Sequence, residues 1–342
     1  LNLFSRSAFH VGNSHTWDLK PNYGLRKIFE AGDEVLENDW QIVCGQSLDY
    51  IVRNPSSACV FPENYQDYVD ALTDKAWEVV TIQPFPGATG LAEVEAISDI
   101  IDLAGWRSSS GETRYLIYCT WPIVPEGTEL VDFNYDAAWR LPYTSTHNGT
   151  LANEEFYIYA MKSIRDQHPD LPIEAIPVGA VFEAFHLEAK GGRISGFSGA
   201  GELYRDRYHM NNVGRYIAAL ATYTVVTGNT ASDLGSDSIA GFGVAEGAVV
   251  DRAITGDLRK KLTELVDSVI AQKPFEDLPL TLDCERKGVS FKTYTGYRYT
   301  LEHSNDLLNW FDVIDSAAGD SSVFEYSSPE SSAVGFWRLL RD

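Results

Sequence analysis

Phe9-His10-Val11-Gly12-Asn13-Ser14-His15-Thr16 is an apolar run that ends in a glycine, followed by two small polar residues and the start of a new segment. A serine at a strand-to-helix turn projects its hydroxyl above the carboxyl edge of a parallel sheet, where open α/β folds bind ligands. Its own N–H can also face an oxyanion. Gly-Asn-Ser is equally an ordinary turn sequence, so the pattern on either side decides. Outward from this stretch, short apolar runs recur at Ala8–Gly12, Trp40–Cys44, Val79–Gln83, Tyr115–Thr120 and Ile173–Pro177. Longer amphipathic segments alternate with them. Pro62–Trp77 opens on proline and places Tyr65, Tyr68, Val69 and Leu72 at helical spacing; Leu91–Leu103, Asn153–Gln167 and Met210–Val226 are further expected helices. Five strands alternating with helices predict an α/β fold whose parallel sheet is covered on both faces.

The pattern changes at Gln272–Pro279. Beyond it helical periodicity stops. Short strands are expected at Val289–Phe291, Tyr297–Glu302, Trp310–Ile314, Ser322–Tyr326 and Phe336–Leu340, separated by turn residues. The expected organisation is a catalytic-size domain over residues 1–270, a linker near 270–278, and a small all-β, sandwich-like module over 279–342, close to the lower size limit for an independent core. Gly228–Val244 reads as a long loop within the first domain.

The chain has 342 residues, 27 Lys and Arg against 49 Asp and Glu, and a formal net charge of −22. Such a surface repels phosphate backbones and anionic lipid, which disfavours nucleic-acid and membrane-surface roles. No window of 18 apolar residues suggests a membrane span. The chain opens on Leu1, so a removed signal peptide or a trimmed start is expected. Low methionine with abundant Tyr and Trp fits an exported, secreted or periplasmic, carbohydrate-active protein. Cys44, Cys59, Cys119 and Cys284 form no Cys-x-x-Cys pair, which excludes a zinc knuckle. Cys44 and Cys119 read as buried thiols, while a Cys44–Cys59 bridge would suit an oxidising compartment. No metal-ligand spacing, dinucleotide fingerprint or phosphate loop occurs, so neither metal nor cofactor is expected.

Tyr204-Arg205-Asp206-Arg207-Tyr208-His209-Met210-Asn211 supplies a second chemical candidate. Residues three apart lie side by side in a helical turn. Asp206 could then accept from the His209 ring and orient it, leaving His209 to take the Ser14 proton. The alternative is that Asp206 caps the following helix and His209 packs locally.

Gly-Asn-Ser near the start and Asp-x-x-His near the end of an α/β domain resemble the first and last sequence blocks of the SGNH/GDSL hydrolases, over roughly residues 5–230. The resemblance implies a three-layer α/β/α sandwich with a central five-stranded parallel sheet of flavodoxin-like form, and a serine-esterase activity. Ser14 is then the nucleophile, His209 the base and Asp206 its orienter. Asn13 stands where the family usually has Asp. The resemblance also implies oxyanion donors after the second and third strands. Gly45, in Val43-Cys44-Gly45-Gln46, holds the first position. Val80-Thr81-Ile82-Gln83 departs from the family's Gly-x-Asn-Asp, and Gln83 carries the same amide one methylene further out. Ser14, Gly45 and Gln83 are therefore the expected oxyanion hole. The tail, ending Gly335-Phe336-Trp337-Arg338-Leu339, resembles a small β module of exported bacterial proteins.

Trp121, Phe85 and His147 are weaker candidates for substrate contact, Trp121 as a sugar platform or acyl wall. His15 is a weak rival base. The expected function is removal of a small acyl group, most plausibly acetyl, from a carbohydrate through an acyl-enzyme on Ser14. Two alternatives remain: a non-catalytic carbohydrate-binding protein on a degenerate hydrolase fold, motivated by Gln83, and a lipase or thioesterase favouring long acyl chains.

Overall fold

The structure, a computed structural model, describes residues 4–85, 89–107, 113–141, 143, 152–244, 250–275, 281–283, 288–292, 298–304, 311–318, 323–327 and 336–341. The chain divides into two compact units, Leu1–Phe275 and Glu276–Asp342.

The first unit runs β1 (Phe4–Gly12), α1 (Ser14–Trp17), α2 (Gly24–Ala31), β2 (Glu34–Ile42), α3 (Leu48–Arg53), α4 (Tyr68–Asp74), β3 (Val79–Ile82), α5 (Gly90–Gly105), β4 (Arg114–Tyr118), α6 (Tyr135–Trp139), α7 (Glu154–Gln167), β5 (Ile173–Ile176), α8 (Val178–Lys190), α9 (Asn212–Thr227) and α10 (Gly256–Gln272). The five strands form one parallel sheet in the order β2-β1-β3-β4-β5. β3 and β4 are buried almost throughout, as a sheet covered on both faces requires. On one side α4, α5 and α7 pack together; on the other, α2, α8 and α10 surround α9. This is a three-layer α/β/α sandwich. α9 is buried along nearly its whole length, so its apolar surface is not confined to one stripe. The chain passes from β1 to β2 on one side and then crosses back over β1 to β3 on the other. The C-terminal end of β1 is therefore a topological switch point, where such sheets bind ligands, and Ser14 opens the helix just beyond it.

All five expected strands form. The expected helix Pro62–Trp77 shortens to Tyr68–Asp74. Ahead of it Asp39 of β2 accepts from the backbone N–H groups of Glu63 and Asn64 at 2.8 and 2.9 Å and anchors that stretch to the strand. Asp67 then caps the helix, accepting from the Asp70 N–H. Gly228–Val244 contains two short 3₁₀ turns, Ala231–Asp233 and Ser236–Phe242. Cys44 is not a buried thiol: it is exposed and bridged to Cys59, whereas Cys119 is free and buried. Among the described residues no helix is long and apolar enough to cross a membrane.

The second unit contains β6 (Thr281–Asp283), β7 (Gly288–Lys292), β8 (Arg298–Ser304), β9 (Phe311–Ala318), β10 (Val323–Ser327) and β11 (Phe336–Arg341). They form two three-stranded antiparallel sheets, β10-β7-β6 and β11-β8-β9. Val289 and Phe291 of the first sheet and Tyr299 and Leu301 of the second share one core, with Trp337 packed against it. Trp310 lies outside the described residues.

The Cys44–Cys59 bridge closes a sequence separation of 15 residues beside the end of β2. Replacing both cysteines by serine should lower the free energy of unfolding by about 3 kcal/mol. Urea denaturation of the variant and the oxidised parent measures the difference.

Candidate active site

The turn that presents Ser14 is held almost entirely by side-chain amides. Asn13 has extended backbone and caps α1, its Oδ1 accepting from the His15 N–H at 2.9 Å. Its Nδ2 donates to the Gln46 carbonyl at 3.0 Å. Asn13 thereby ties the serine turn to the Gly45 loop. Gln83 is fully buried, and its Oε1 accepts from the Asn13 N–H at 3.0 Å, the Thr16 N–H at 3.2 Å and the Thr16 hydroxyl at 2.8 Å. Three donors converge on this oxygen, so the orientation of the amide is fixed by its surroundings. Its Nε2 donates to the Pro84 carbonyl at 3.2 Å. The expected oxyanion donor is thus turned with its carbonyl to the serine turn and one of its two N–H groups on the Pro84 carbonyl. Gln83 braces the turn from below. The brace also explains Gly12: a Cβ there would lie 2.3 Å from Thr16 Oγ1 and 2.8 Å from Gln83 Cβ.

Gly45 sits at φ +70°, with open space where a Cβ would project. This left-handed conformation favours glycine. The N–H groups of Ser14 and Gly45 find no acceptor among the described residues. Beneath this loop Glu93 of α5 is buried and accepts from the N–H groups of Leu48 at 3.1 Å, Asp49 at 3.2 Å and Phe85 at 2.9 Å. Burial pushes the Glu93 carboxyl up to about 7, against the downward pull of the three N–H groups. One side chain thus fixes the segments that follow β2 and β3.

Asp206 and His209 meet as their spacing suggests, in a turn and not in a helix. The Arg205 N–H donates to the His209 carbonyl at 2.9 Å, and Tyr204 and Met210 pair as an antiparallel bridge. His209 Nδ1 lies 3.0 and 2.9 Å from the two Asp206 oxygens. Asp206 Oδ1 also accepts from the N–H groups of Tyr208 and His209. Partial burial would raise the Asp206 carboxyl, but these backbone and ring donors outweigh it and hold it below its ordinary value. The N-cap of α9 is Asn211, which accepts from Val213 and Gly214, so Asp206 does not serve there. Asp206 can fix the ring with Nδ1 protonated and leave Nε2 as the basic atom.

Asp18, at the C-cap of α1, joins the two halves. It is 1% exposed. Oδ2 accepts from the Met210 N–H at 2.8 Å, and Oδ1 receives Nε and Nη2 of Arg215 at 2.9 and 2.7 Å. Burial raises the Asp18 carboxyl and outweighs the Arg215 charge and the Met210 N–H. Sequence reasoning missed Asp18 and Arg215; an Asp four residues past the serine carried no visible partner.

His15 fills the space between the halves. Its ring stacks on Trp121 (4.6 Å between centroids, 12° between planes), meets Phe85 edge-on at 4.9 Å, and lies 6.2 Å from the His209 ring. Burial, and next to it the His209 charge, push the His15 imidazole down to about 3, so it stays neutral and is no rival base. Trp121 is fully buried, with Nε1 donating to the Tyr208 carbonyl at 2.8 Å. It supports the His209 turn from within the core and presents no face to a sugar, contrary to the platform expectation. Phe85 is nearly buried and walls the same cluster. His147 lies outside the described residues. Ser14 and His209 are both half-buried, and among the described residues no hydrogen bond joins them; such contacts are often loose in ligand-free sites. No three of His, Cys, Asp and Glu among the described residues form a metal-binding set.

No family model and no curated protein matches the chain. Among solved structures it is similar to a DUF4886 family protein from Bacteroides uniformis ATCC 8492, at 16% identity and a TM-score of 0.50, over 80% of this chain and 96% of that one. It also matches the periplasmic domain of a lipopolysaccharide acetyltransferase from Salmonella ser. Paratyphi A, at 14% identity and a TM-score of 0.32, over 53% of this chain and 69% of that one. The first likeness concerns the fold alone.

Gln83→Ala should leave the buried N–H groups of Asn13 and Thr16 without an acceptor, at about 1–3 kcal/mol each. Its unfolding midpoint in urea should fall accordingly; an unchanged midpoint would reject the bracing role. Asp18→Asn should cost about 3 kcal/mol, because it strips the half-buried Arg215 of its counter-charge. The same titration checks it.

Proposed function

We propose that the first unit is a serine hydrolase of SGNH type that removes a small acyl group, most plausibly acetyl, from a carbohydrate. The observation that carries this reading is the Asp206–His209 couple, held by Asp18 against the helix that Ser14 opens at the switch point of a parallel sheet. In the proposed reaction Ser14 Oγ attacks the ester carbonyl while His209 Nε2 takes its proton. Asp206 keeps Nδ1 protonated and stabilises the imidazolium that forms. The tetrahedral oxyanion is received by the N–H groups of Ser14 and Gly45. As the tetrahedral intermediate collapses and the ester C–O bond breaks, His209 gives the proton to the departing sugar oxygen, which leaves as a hydroxyl; His209 then activates the water that releases the acid and frees Ser14.

The finer points have separate support. The small acyl group is carried over from the resemblance to carbohydrate esterases. The Cys44–Cys59 bridge supports an oxidising, secreted or periplasmic location. The carbohydrate rests on composition and on the resemblance of the tail to modules of exported proteins.

The test is p-nitrophenyl acetate hydrolysis by the parent and Ser14→Ala, with butyrate and octanoate esters in parallel. The parent should turn over acetate fastest. Ser14→Ala should lose activity to near background, and Asp206→Asn should lower kcat by about 10³–10⁴. Serine-independent turnover would reject the nucleophile. Preference for octanoate would favour a lipase, and no turnover of any ester would favour a binding protein.

A further inference from the structure

The turn that carries Asp206 and His209 also displays two side chains with no part in that couple. Tyr208 is 40% exposed, although its backbone is among the most firmly held at the site. Its N–H donates to Asp206 Oδ1 and its carbonyl accepts from Trp121 Nε1, each at 2.8 Å. Its ring lies 6.2 Å from that of His209. Arg207 is half-buried, with Nε donating to the Val124 carbonyl at 2.9 Å and the Arg207 carbonyl accepting from the Val124 N–H. Its guanidinium stands over the Tyr208 ring, 5.4 Å from the centroid.

The electrostatics of this pair run against the rest of the molecule. The chain carries 49 acidic residues against 27 basic ones, and the neighbouring Arg205 lies near both Asp18 and Asp206. Arg215 is given to Asp18. Arg207 makes no ion pair among the described residues. With Nε anchored to Val124, the two terminal nitrogens remain as a fork. A planar fork on an aromatic face matches a carboxylate through paired, charge-assisted hydrogen bonds. An exposed aromatic ring held rigid beside the base offers an apolar face to a sugar.

The geometry points to Arg207 and Tyr208 as the subsite for a carboxylate-bearing sugar, a uronic acid unit, next to the unit whose ester is cleaved. The inference rests on the hydrolase reading for its biological sense, but its test does not need turnover. Ser14→Ala protein is titrated calorimetrically with a galacturonic acid trisaccharide and, as the neutral control, a xylose trisaccharide. The uronate should bind more tightly, and its binding should weaken as salt rises from about 50 to 500 mM, as a charge pair at a site mouth is screened. Adding Arg207→Met should weaken uronate binding at least about tenfold and change the neutral control far less. Arg207→Lys, which keeps the charge without the fork, should fall between. Equal affinity for the two sugars, no binding of either, or uronate binding unmoved by Arg207→Met overturns the subsite. An absent esterase activity together with Arg207-dependent uronate binding would instead overturn the hydrolase reading and leave the subsite standing.

Discussion

The carboxylate of Asp18 holds together parts of the chain that would otherwise be independent. Asp18 ends the short helix that Ser14 begins through its backbone N–H, while its carboxylate takes the N–H of the residue after His209 and neutralises Arg215 at the start of the buried helix α9. A four-residue helix has no stability of its own. What fixes it is the Gln83 amide at one end and Asp18 at the other. Because Asp18 is buried, its hydrogen bonds are strong and their loss is costly. The placing of the serine helix and the His209 turn therefore depends on one buried carboxylate and its pairing with Arg215.

Around it the site is built from the ends of strands. β1 delivers Ser14, β2 delivers Gly45, β3 delivers Gln83 and Phe85, and β4 delivers Trp121. Each of these segments is cross-tied to another by a side chain that does not face the cleft: Asn13 to Gln46, Glu93 to Leu48 and Phe85, Trp121 to Tyr208. The parallel sheet sets the strand ends side by side, and the polar ties set their final positions. This is how a sheet edge made of mobile connections becomes rigid enough to hold reacting groups.

The sheet was legible because strands buried on both faces are written as unbroken apolar runs, and Val79–Ile82 and Tyr115–Tyr118 show this plainly. Asp206 and His209 were legible because their partnership is local. The role of Gln83 was not: an amide has a donor end and an acceptor end, and only the neighbouring N–H groups decide which is used. Asp18 was invisible for a different reason, since its partners lie 192 and 197 residues away. The later start of helix α4 did not show because its cap, Asp67, sits inside the apolar repeat Tyr65–Leu72 that the periodic pattern reads as continuous.

The 192-residue span between Asp18 and Met210 has a consequence for how the protein comes into being. A chain made from its N-terminus releases the serine turn early, with its strand and its cap residue, but without the loop that Asp18 must grip. Domains fold as units once their chain is available. The serine turn therefore stays apart from Asp206 and His209 until most of the first unit has emerged. On the proposed hydrolase reading, incomplete chains would carry Ser14 in an idle form.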